Sequence, residues 1–91
     1  MKTAYRYLRE LEEIYTSIKE VDSYVSSFPS VSSRFIEYRL LEIYRDLEST
    51  KERVLAMMHE TSDDKVHRKV QEVISYIDSV MDKIKRKIEG R

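Results

Sequence analysis

An all-α fold, an antiparallel up-down-up bundle of three helices, is predicted by three features of this sequence. Apolar residues recur at alternating steps of three and four through three segments, separated by two short polar breaks. That spacing belongs to coiled-coil-like helices packed at a shallow angle, in left-handed heptad fashion. The one glycine, Gly90, and the one proline, Pro29, both lie outside the periodic segments. With no asparagine and no Asp-Gly pair, the chain also lacks the residues that build tight sheet hairpins.

The first helix is expected over residues 3–26. Its seam is Ala4, Tyr7, Leu11, Ile14, Ile18, Val21, Val25 and Phe28, widened by Leu8, Tyr15 and Tyr24. Pro29 disfavours helical geometry at Phe28. The serines around Pro29 supply N-caps for the second helix. Phe28 and Val31 are expected to fold inward over the bundle end.

The second helix is expected over 32–60, with Ile36, Leu40, Ile43, Leu47, Thr50, Val54 and Met57 as its seam. A neighbouring row of Leu41, Tyr44, Leu55 and Met58 widens the stripe. At Thr50 and Lys51 the stripe thins, and Lys51 can lay its stem along the bundle. Met57 and Met58 fill the bundle end. In the second break, Thr61 with Asp64 has the form of a capping box, and the acidic residues there suit a helix N-terminus. The third helix is expected over 63–89, with Val66, Val70, Val73, Ile77, Val80, Ile84 and Ile88 as seam and Ile74 and Met81 beside it. Gly90 sits at its expected stop.

Ninety-one residues make one domain, 1–91. Such a chain buries a modest core but not a roomy catalytic cleft as well. The stripes are wide enough to leave a surplus apolar face for self-association or for a partner. A variant architecture would exchange the first helix between two copies.

Lys and Arg balance Asp and Glu, so no global field pulls the chain toward nucleic acid or anionic membrane. No apolar run approaches the ~20 residues that span a bilayer. The absence of cysteine excludes disulfides and thiolate metal sites and fits a cytoplasmic protein. Asn is absent, Gln occurs once, and Lys, Arg, Glu, Ile and Tyr are frequent, a bias that leans toward a thermophilic source.

Four sets of residues carry the candidate chemistry. His59, Glu60, Asp63 and His67 form the densest group of metal-ligand types, spaced by fours. The Thr61-Ser62-Asp63-Asp64 string reads as a turn that breaks such a site, so they are taken as turn and cap residues, with no metal and no cofactor expected. Along one exposed row of the third helix run Lys65, Lys69, Glu72, Tyr76, Lys83 and Arg86, joined at the end by Lys87. Cations with an aromatic track a phosphate backbone or an acidic partner, although a helix dipole also favours cations in its last turn. Seven tyrosines against two phenylalanines put phenols at the stripe edges. Of these, Tyr5 and Tyr38 lie off the stripes and are expected to meet a protein partner, with Arg34 and Arg45 flanking Tyr38.

The fourth set is Arg53 and His59, an R-x5-H string near a helix end. It resembles the R-x(4–6)-H signature of HEPN domains, small helical bundles whose Arg and His meet across a dimer and cleave RNA. The resemblance covers seven residues and implies a ribonuclease acting through Arg53 and His59. The chain departs from the family at Val54, where a polar residue is usual, and in having no room for a fourth helix.

The first expectation is therefore a non-enzymatic helical interaction module, an accessory subunit or adaptor of a larger intracellular assembly with a protein partner. The second is a nucleic-acid-associated protein of a replication, transcription or defence complex, using the third helix. The third is the HEPN-like ribonuclease.

Overall fold

A computed structural model describes residues 3–28 and 33–90. Val31, expected to fold inward, and Ser32, the expected start of the second helix, lie outside them. Three α-helices result: α1 (Ala4–Ser26), α2 (Arg34–Glu60) and α3 (Asp64–Glu89). None is long and apolar enough to cross a membrane.

Each helix starts at a side-chain cap of the kind the breaks supply. Thr3 accepts from Arg6 N at 3.3 Å, Ser33 from Ile36 N at 3.3 Å, and Asp63 from Val66 N at 3.0 Å. The expected Thr61–Asp64 capping box does not form. Thr61 is extended and closes α2, and its hydroxyl accepts from Asp63 N at 3.3 Å, which leaves Asp63 as the cap of α3. His67 Nε2 returns to the Thr61 carbonyl at 2.6 Å and tightens the turn. Asp63→Ala is therefore expected to cost about 1 kcal/mol in urea unfolding, the worth of a cap. Ser62→Ala, which removes no such bond, is expected to be neutral.

The side-chain contacts define the topology. Glu12 meets Lys69, Asp22 meets Lys83 and the Phe28 carbonyl meets Lys87, so α1 and α3 climb together. Tyr7 meets Glu60 whereas Tyr24 meets Arg39, so α2 descends as α1 climbs. The order is up-down-up, in a rod of 46 × 19 × 17 Å.

The core is centred on α3. That helix buries seven residues, Val66, Val70, Val73, Ile77, Val80, Met81 and Ile84, against four in α1 and five in α2. It packs along both neighbours, whereas α1 and α2 approach each other at few points. Apart from Thr50, the predicted seams face this core, with Ala4, Ile14, Val21, Phe28, Ile36 and Ile88 half-buried around it. Among the flanking residues, Tyr44 and Met58 pack on the core as expected. Leu41 and Leu55 do not, and stand exposed on the side of α2 away from α1.

Candidate functional site

The row of cations on α3 is exposed only in part: Lys69, Tyr76, Lys83 and Lys87 are half-buried, and Lys65 and Arg86 are open. It is the seam between α3 and α1, because α1 occupies the side of α3 on which these residues recur. Lys69 Nζ lies 2.8 Å from Glu12 Oε2 and 3.6 Å from Glu72, and 4.8 Å over the Tyr15 ring. Hydrogen bonding to Glu12 raises its pKa against the opposing effect of burial. Lys83 Nζ lies 2.5 Å from Asp22 Oδ1 and donates to Ser26 Oγ at 2.9 Å. Lys87 Nζ donates to the Phe28 carbonyl and helps close the end of α1.

The Tyr76 hydroxyl donates to Asp22 Oδ2 at 2.9 Å, and its ring lies 5.1 Å from that of Tyr15. Asp22 is held below the ordinary carboxylate range, chiefly by the Lys83 hydrogen bond and against burial. Tyr76 is pushed up to about 12, first by burial and then by its bond to the Asp22 carboxylate. Of the five cations singled out in the sequence, Lys65 and Arg86 remain exposed. They stand about 31 Å apart along α3 by the helical rise, and Arg86 pairs with Asp82 at 2.7 Å.

Tyr5 and Tyr38 are both exposed, at 71% and 64%, but the antiparallel register puts them at opposite ends of the rod. Tyr5 borders a shallow hollow with Leu8, Lys65 and Arg68. Tyr38 has better company. Phe35 beside it is 78% exposed and Leu41 is 41% exposed, so the three form a row at steps of three on the outer face of α2. Arg34 and Arg45 stand exposed along that face with no ion pair among the described residues. Phe35 and Leu41 are the site residues that sequence reasoning missed. The available signal was a phenylalanine one residue off the seam position Ile36, too far round the helix to share its face.

A groove of about 470 Å³ separates α1 from α2 on the side away from α3. Ile14, Ile18, Val21, Ile43 and Leu47 contribute to its apolar lining, and Arg39, Asp46, Thr50 and Arg53 to its polar lining. Thr50, on the α2 seam, lines this groove with a hydroxyl where its heptad neighbours are aliphatic. Its hydroxyl instead accepts no partner from α1 and donates to the Asp46 carbonyl at 2.9 Å. Filling the gap with Thr50→Leu is expected to stabilise by about 1 kcal/mol and raise Tm by about 4–8 °C, read by calorimetry. Lys51, next to it, reaches the other way and bonds Asp78 of α3 at 2.6 Å.

Among the described residues no group of three or more His, Asp and Glu side chains is arranged to hold a metal. His67 is turned to the Thr61 carbonyl, and His59 is exposed in the last turn of α2. Arg53 leans toward α1, 3.9 Å from Glu10. Six residues of helix leave Arg53 and His59 pointing about 120° apart on one chain. The chain matches no known protein family, no curated protein and no solved structure. The HEPN resemblance thus rests on Arg53 and His59 alone.

Proposed function

We propose that this chain is a non-enzymatic protein-interaction module, an accessory subunit or adaptor that presents the outer face of α2 to a protein partner. The observation that carries this reading is the exposed row Phe35–Tyr38–Leu41 between Arg34 and Arg45. Aromatic residues with arginine are the types that dominate binding energy at protein contacts. Full burial of an aromatic side chain contributes about 1.5–3 kcal/mol. The row sits on a helix anchored through Leu40, Ile43 and Leu47, so little order remains to be imposed on binding.

The seam between α1 and α3 supports the choice of a protein over a nucleic acid. Lys69, Lys83 and Lys87 are already bonded to α1, and a phosphate backbone would have to displace those bonds. The test is affinity co-purification from the native source with and without nuclease, using the wild type and Phe35→Ser/Tyr38→Ser. A stoichiometric protein that survives nuclease and is lost with the double variant supports the reading. Capture that ignores the variant, or that vanishes with nuclease, removes it.

A further inference from the structure

The charges around Leu41 on the outer face of α2 form a pattern that inverts on itself. Four residues either side of Leu41 stand Glu37 and Arg45, and seven residues either side stand Arg34 and Glu48. Steps of four and seven return to the same side of a helix, so all five share one face. Along the chain they read Arg, Glu, Leu, Arg, Glu. Read backward, every cation takes the place of a carboxylate.

Such a face complements a second copy of itself. In a two-fold contact each residue meets the same residue's counterpart position on the other copy. With antiparallel helices and the axis at Leu41, Arg34 faces Glu48, Glu37 faces Arg45, and Leu41 meets its own copy. Opposite charges meet at all four places. The alternatives oppose like charges. A parallel pairing sets each residue against itself, and an axis midway between Tyr38 and Leu41 sets Arg34 against Arg45.

Four of the five positions are open to this contact, and Glu37 is half-buried beside them. Arg34, Arg45 and Glu48 are exposed and have no ion pair among the described residues. Leu41 is already solvent-exposed, and Tyr38 stands one turn from it. We propose that the partner of this face is a second copy of the chain, with α2 paired antiparallel to α2 about a two-fold axis at Leu41. This rests on reading the outer face of α2 as a contact surface. One helix pair buries less than the ~1,200 Å² of a standard interface, so the dimer is weak and concentration-dependent.

The chain has no cysteine, which makes single-cysteine variants clean reporters. Leu41→Cys places a thiol on the proposed axis, and Ser75→Cys places one on an exposed position of α3. Under mild oxidation the first is expected to give a covalent dimer and the second to stay monomeric. Sedimentation equilibrium supplies the second arm. Arg45→Glu is expected to weaken the dimer about tenfold, since symmetry breaks the pair twice. Adding Glu37→Arg to it is expected to restore the wild-type dissociation constant, because the two reversed charges again face each other.

A monomer at every concentration overturns the proposal. So does equal cross-linking of the two cysteine variants, or a double variant no tighter than Arg45→Glu. If the chain is monomeric but its partner capture still depends on Phe35 and Tyr38, the second copy is wrong and the contact face stands. If capture ignores those residues as well, both readings are gone.

Discussion

Ile77→Ala is expected to remove about 3–4 kcal/mol of stability, the cost of a large cavity in a core that cannot close over it. Ile77 is fully buried on α3, the helix that packs along both others. Its side chain is therefore part of the one wall common to the two interfaces. Total stability for a domain of this size is about 5–10 kcal/mol, so this single truncation approaches half of it. The matched control is Ile14→Ala. Ile14 is half-buried on the open side between α1 and α2, and its loss is expected to cost about 1 kcal/mol. Urea unfolding of both variants decides the matter, provided the slope with denaturant is unchanged. Equal costs would mean that the core is shared evenly among the helices and that α3 has no special place in it.

Asp22→Lys is the second large effect, about 2–3 kcal/mol. Asp22 accepts from Tyr76 at 2.9 Å and from Lys83 at 2.5 Å, and hydrogen bonds to a charged group are worth roughly 1.5–3 kcal/mol. Reversal removes both bonds and sets a cation against Lys83. The same site gives the fold a signature at both ends of the pH scale.

The folded pKa of Asp22 is lowered, so its contribution is present above the ordinary carboxylate value and is lost as pH falls through the lowered one. Tyr76 goes the other way. Its folded pKa is raised to about 12, so its contribution is present below the ordinary phenol value and is lost as pH rises toward about 12. In Asp22→Asn the acid-side loss should shrink. The phenolate absorbance of Tyr76, isolated by subtracting Tyr76→Phe, should appear at lower pH than in the wild type. It should not return to the ordinary phenol value, because burial, the larger cause, remains. An unchanged Tyr76 titration in Asp22→Asn would mean that the carboxylate does not hold the phenol.

Much of the fold was legible residue by residue. The three seams, read as steps of three and four, face the core everywhere except at Thr50. The helix ends at Ser26, Glu60 and Glu89 fall where the breaks of Ser, Pro, Thr and Asp and the terminal Gly90 put them. The cap of α3 was misplaced by two residues. Thr61 and Asp63 are both capping types, and only the backbone decides which of them is extended immediately before the helix. The candidate site was less legible. Tyr38, Arg34 and Arg45 were singled out because they lie off the seam. Phe35 was overlooked beside Ile36, and Leu41 was assigned to the stripe because an apolar residue at its edge reads as core.

The number of helices, their extents and the face each one buries are local properties of this chain. Periodicity suffices to read them, because hydrophobic burial requires an apolar residue at each return to the same side of the helix. Which flank meets a neighbour is a tertiary property. Lys69 and Lys83 on one helix, and Phe35 and Leu41 on another, all lie off their seams. The lysines face carboxylates of α1, while the apolar pair faces solvent. A flanking position carries no mark of what stands opposite it, because the partner of a Coulombic pair or an edge contact lies about 55–60 residues away in the chain and is brought there only by the packing of α1 on α3.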